Sequence, residues 1–395
     1  MQSIICRACA CRATRARPIV RGRGTRAASN SGVESPLKRL VQEASVFGEA
    51  APAEHELQWT TQPYAARAAL AGLAGSPAPR PEETSVLLFP GPGSHFVGMG
   101  RRLQDIPAAR DLYDLASSIV GWDVSRVCRE GPAAELQRRA AVCVLVTALA
   151  ALERARELRP GAVQRARAAA GFALGELAAL VFAAALPFER AVRLAALWTA
   201  AVEAAAAERA GGMLQLTLAP DARLAALLHA AQERAAERGV AAPVCRVAAF
   251  LHPGCKVIAG DEEALRFVER AGRAWGVRGA ARVAAAGALH SPLMARAGDA
   301  WRAALQGAEL RAPRVRVVSC VDARAYGADG AGGRRRLARL AEAPVRWEQA
   351  LHALFARPRG QPQPRVLALG PAAALRADLR RVNARAWDAC VPIDV

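Results

Sequence analysis

One short segment carries residue types at a spacing that does chemistry. Gly171-Phe172-Ala173-Leu174-Gly175-Glu176 has the outline of a nucleophile elbow, G-x-S-x-G. In that geometry a strand turns sharply into a helix, and the central side chain is pushed out at the helix N-terminus. There the helix dipole and N–H groups stabilise an oxyanion. The central residue in this chain is Ala173, which has no oxygen with which to attack. Ser94 and Ser291 are the substitutes to weigh, but neither sits on an elbow. Ser94, in a Gly-Ser loop, reads as a turn or cap residue. Cys143, in the run VCVLV, reads as core, and His95 and His252 read as exposed loop histidines. The nine cysteines form no CxxC pair, so neither a zinc site nor a disulfide framework is expected.

An elbow needs a buried strand to deliver it and an apolar helix to carry the chain away. AAGFALGELAALVFAAAL (169–186) has that order, and VLLFPGPGS (86–94) is a second buried strand running into a Gly/Pro-rich turn. Periodicity predicts helices over 108–119 and 133–158. Repeats of this kind predict an α/β fold with a parallel sheet. Residues 211–281 read as an insertion: a strand in GGMLQLTLAP, a helix over 221–238, a hairpin through CRVAAFLHPGCKVIAG and a helix over 261–276. A returning strand that includes RVAAAG (282–287) completes it. The βαββαβ order predicts a ferredoxin-like module. The expected organisation is a large subdomain over 85–210 and 282–395, with the small subdomain 211–281 inserted.

The first 33 residues hold seven arginines and no acid, the signature of a mitochondrial transit peptide. A helix and a Pro/Ala linker are expected over 34–84. The formal charge of +19 falls to +12 without those seven arginines. Of the 54 basic residues only Lys38 and Lys256 are lysines, a bias that GC-rich coding alone produces. No homeodomain, zinc-finger or RNP pattern accompanies the charge, so nucleic acid is not the expected partner. An acidic protein partner, steered in by the surface field, is. No apolar run reaches the length of a membrane span.

Five motifs together resemble the malonyl-CoA:acyl-carrier-protein transacylase family, in its animal mitochondrial form. LLFPGPGSHFVGMG (87–100) is similar to the family's LLFPGQGSQxVGMG, and 169–186 to AAGFSxGExAALVFAGAx. GALHSPLM (287–294) is similar to the segment bearing the family's catalytic histidine. PVRWEQALHAL (344–354) and LALGPAAAL (367–375) resemble segments near its C-terminus. The resemblance implies an α/β-hydrolase-like large subdomain and a ferredoxin-like small one. It implies a serine that takes malonyl from CoA with a histidine as general base, then passes it to the phosphopantetheine thiol of acyl carrier protein. No metal or cofactor is implied.

Carried onto this chain, the resemblance keeps the base as His290 and the oxyanion N–H of Leu174. It places Ala173 at the nucleophile and Pro92, which has no N–H, at the first oxyanion donor. Trp198 falls where the family has a carboxylate-binding arginine, and Leu340 where it has the glutamine that orients the histidine. Ala249 falls where it has an asparagine of the small subdomain. Losing one member of a nucleophile–base unit costs about 10⁴ to 10⁶ in rate. The expectation is a mitochondrial matrix protein, impaired in catalysis, that still recognises an acidic carrier protein and CoA or malonyl-CoA. The alternative is an active S-malonyltransferase.

Overall fold

The computed structural model describes residues 84–358 and 360–395. The predicted segment 1–33, and 34–84 up to its last residue, lie outside them.

The large subdomain is built on a parallel sheet with strand order β7-β2-β1-β8-β9. β1 spans Ser85–Phe89, β2 Ala166–Gly171, β7 Arg316–Val318, β8 Arg365–Leu369 and β9 Cys390–Ile393. β1 is buried along its whole length, as SVLLF requires of a central strand covered on both faces. The helix Ala140–Leu158 covers the sheet with a surface that is apolar nearly all round. Tyr113, from the helix Pro107–Val120, reaches it through a hydroxyl–hydroxyl bond to Thr147 of 2.8 Å. The chain leaves β1 toward β2 and β7 and returns on the other side at β8. β1 therefore marks the point where strand order reverses, and ligands of such sheets bind beyond the carboxyl ends of the strands there.

The inserted sheet is antiparallel, in the order β4-β5-β3-β6. Its strands are β3 Gly211–Leu218, β4 Cys245–His252, β5 Cys255–Asp261 and β6 Val277–Arg282. With helices Leu224–Glu237 and Glu262–Ala271 between them, this is the βαββαβ order read from the sequence. Leu214 and Leu216 of β3 enter a separate small core with Leu227, Ile258, Leu265 and Val268. The alternate residues Met213 and Gln215 face the cavity shared with the large subdomain, as a two-residue period dictates.

Two expected elements differ from those observed. The helix predicted over 133–158 is broken at Arg139 (φ −98°, ψ 10°), giving Ala133–Arg138 and Ala140–Leu158. The strand predicted to include RVAAAG stops at Arg282; the Val283 N–H still donates to the oxygen of Met213 (3.0 Å), and Ala284–Ala286 then leave the sheet to line the cavity.

Candidate active site

β2 ends at Gly171, and four residues, Phe172 to Gly175, turn the chain into the helix Glu176–Phe182. The turn is too tight for side chains at its two glycines. A Cβ on Gly171 would lie 2.0 Å from the carbonyl carbon of Gly175, and one on Gly175 2.4 Å from the oxygen of Pro90. Between them Ala173 sits at φ 48°, in the left-handed region that costs a residue with a Cβ about 1–2 kcal/mol. The strained backbone of an elbow is thus present in full, and a methyl group is what it presents.

Beneath the turn, Glu176 is completely buried. Its carboxylate accepts from the N–H of Cys320 (3.1 Å), from the Cys320 thiol (3.0 Å) and from the Tyr326 hydroxyl. Burial pushes its carboxyl above the ordinary range, and these donors oppose the shift. The three bonds tie the first turn of the elbow helix to the segment that follows β7.

Ala173, Leu174, Pro92, Trp198, Ala249 and His290 all line one cavity of about 370 Å³, so the structure brings six of the seven singled-out positions together. The seventh, Leu340, acts from behind. Its main-chain oxygen lies 2.7 Å from His290 Nδ1. A carbonyl only accepts, so Nδ1 carries the hydrogen and Nε2 is left as the acceptor nitrogen. The His290 N–H donates to the oxygen of Ala341 (3.0 Å) and fixes the backbone at φ 59°. Burial lowers the imidazole to about 4, so it is neutral near pH 7. The Leu340 side chain is itself wholly buried. The histidine is thus anchored by the main chain, whatever side chain stands at 340.

Trp198, on the helix Phe188–Glu208, is 5% exposed. Its ring lies 6.5 Å from that of His290 and meets Trp301 edge-on at 5.1 Å. Trp301 is held by its indole N–H to the oxygen of Leu337 (2.9 Å). Trp198 is therefore part of a packed aromatic wall. Ala249, on β4, is buried in the opposite wall. Ser94 serves its turn, donating to the oxygen of Gly91 (2.8 Å), and buried Ser291 donates to that of Ala288 (2.7 Å).

The two histidines expected in exposed loops are placed otherwise. His95 is half-buried and donates from Nε2 to Gln137 Oε1 (2.9 Å), while its Nδ1 accepts from the N–H of Gly93 (3.3 Å). Gln137 in turn donates to the oxygen of Ala284 (2.8 Å), linking two sides of the cavity. His252 ends β4, and burial followed by the charge of Lys256 lowers its imidazole. Lys256 is itself buried, bonded to Glu348 (2.8 Å) and to the His252 oxygen (2.8 Å).

The sequence reading did not single out Glu176, Gln137 or Asp378. Asp378 lines the cavity, and burial raises its carboxyl to about 7. Only Glu176 had a signal, an acid directly after the second glycine of the elbow.

Comparison with known proteins places the chain in a family. The acyl transferase domain family matches residues 86–359. A probable mitochondrial malonyl-CoA-acyl carrier protein transacylase of Drosophila melanogaster is 41% identical over 317 residues, 79% of this chain and 83% of the relative. An acyl-carrier-protein S-malonyltransferase structure from Burkholderia pseudomallei superposes with a TM-score of 0.69 at 28% identity, covering 79% of this chain and 96% of its own. A malonyl-transacylase solved in complex with a type II polyketide acyl-carrier protein does so with a TM-score of 0.68 at 26% identity, covering 78% and 94%.

Proposed function

This chain belongs to the mitochondrial malonyl-CoA-acyl carrier protein transacylase family, and from that premise we propose that it binds the family's thioester-bearing partner without transferring malonyl. The observation that carries the reading is the methyl group of Ala173 on an otherwise complete elbow. An acyl-enzyme needs an oxygen or sulfur at that point, and there is none. His290 keeps its orienting bond and its neutral form, but a base with no hydroxyl to deprotonate does not start the transfer. Pro92 withdraws one main-chain donor from the oxyanion position, worth about 3 kcal/mol in sites of this kind.

The partner proposed is an acidic acyl carrier protein, with its phosphopantetheine arm entering the cavity. The relative solved with a carrier protein supports it, as does the excess of arginine over acid in the chain. The site of action is the mitochondrion, by the names of the similar proteins, and within it the matrix, with 1–33 as the targeting segment. Titration calorimetry with holo and apo carrier protein tests the reading. Binding of the holo form, stronger than the apo form, together with no transfer of labelled malonyl, is the expected outcome. Transfer at the rate of an intact relative would contradict it.

A further inference from the structure

We infer that the cavity selects an uncharged acyl thioester and rejects a dicarboxylic one such as malonyl. This rests on the proposed reading that the cavity receives a thioester arm. Its walls are mostly apolar where the acyl group would lie, among Trp198, Val202, Met213, Leu251, Val257 and Leu289, and the polar side chains beside them, Thr199 and Gln215, are uncharged. Trp198 cannot swing aside to admit a cation, because it is packed between His290 and Trp301. Among the described residues that line the cavity, Arg138 alone carries a guanidinium or ammonium group, and it is exposed. A carboxylate paired with it would remain in water, where exposed ion pairs contribute little.

A carboxylate inside would meet no opposite charge. It would share the cavity with the carboxyl of Asp378, and two carboxylates in one site oppose each other's ionisation. Burial already holds Asp378 toward its protonated form. The neutral imidazole of His290 supplies no compensating charge either. A methylene chain, in contrast, gains about fourfold in affinity for each CH₂ taken out of water.

The full chain is titrated calorimetrically with CoA, acetyl-CoA, butyryl-CoA, hexanoyl-CoA and malonyl-CoA, and with holo carrier protein. Affinity should rise by about fourfold per added methylene, and malonyl-CoA should bind no tighter than CoA. Trp198→Arg should reverse the order, favouring malonyl-CoA over butyryl-CoA by at least about tenfold. If that buried substitution does not fold, Asp378→Asn, at a half-buried position in the cavity wall, should still raise the affinity for malonyl-CoA several-fold relative to that for butyryl-CoA. Malonyl-CoA binding the unaltered chain as tightly as butyryl-CoA overturns the inference. A flat acyl series with sound holo-carrier binding overturns it and leaves the carrier reading standing. An acyl preference without carrier binding does the reverse, and no binding of any probe overturns both.

Discussion

At position 173 the backbone and the side chain point to different histories. The backbone holds φ 48°, a conformation useful for pushing a nucleophile into a cavity and costly for an alanine. Ala173→Gly should therefore stabilise the fold by about 1 kcal/mol, relief of the left-handed strain outweighing glycine's extra freedom when unfolded. Urea denaturation measures it, and a destabilised variant would show that the methyl is well accommodated. Ala173→Ser, by itself, should leave malonyl transfer at least about a hundredfold below that of an intact relative, because Pro92 still lacks an N–H. Recovery to the relative's rate would show that Pro92 and Trp198 do not limit transfer. His290 makes a prediction in pH. Its folded form titrates at about 4 against an ordinary 6.5, so the unfolded chain takes up the proton first. Stability should fall by about 3 kcal/mol as pH drops from about 6.5 to about 4, and the loss should level off below that. His290→Asn keeps a donor for the Leu340 oxygen and tolerates the left-handed backbone. The difference between wild type and this variant isolates the effect, and equal slopes for the two would refute it.

The elbow is one element, made by the contact of β2, the Pro90 turn and the helix Glu176–Phe182. Gly171→Ala would place a Cβ 2.0 Å from main-chain carbon, with no flexible side chain to yield. The expected result is a loss of more than about 3 kcal/mol, seen as a fall in Tm or in soluble yield. Normal stability would mean that the turn opens more easily than its packing indicates. This element was legible in the sequence because its glycine spacing is a steric requirement. So was the βαββαβ insertion, whose alternating Leu214 and Leu216 declare one buried face. The end of β6 was not legible, because Val283–Ala286 are small apolar residues that suit a strand as well as a cavity wall. The break at Arg139 was hidden because Glu135-Leu136-Gln137-Arg138-Arg139 are all good helix formers with no Gly or Pro among them. Glu176 and Asp378 owe their roles to burial by segments distant in the chain, Tyr326 and Cys320 in the first case. Local sequence marks Glu176 only by its place after the second elbow glycine, and holds no trace of the burial of Asp378. The carbonyl of Leu340 was invisible for another reason: every residue has one, and only the fold selects which meets His290.

For the molecule as a whole, the carboxyl ends of the central strands and an inserted ferredoxin-like module enclose a cavity, and the chain's formal charge is +19, or +12 without residues 1–33. If an acidic carrier protein is the partner, its association is steered by that charge. Raising salt from about 0.05 M to about 0.5 M should weaken binding by about tenfold, since the screening length shrinks to a few ångströms. Salt-independent affinity would point to an apolar interface instead. The same comparison with CoA alone separates the carrier's surface charge from the phosphates of the nucleotide.

With a methyl group at the elbow, the chain should hold no covalent acyl group. Intact-mass measurement after incubation of the unaltered protein with malonyl-CoA tests it most directly. The expected spectrum is unchanged from that of the untreated chain. A stable malonyl adduct on any residue would contradict it and return the protein to the transferring members of its family.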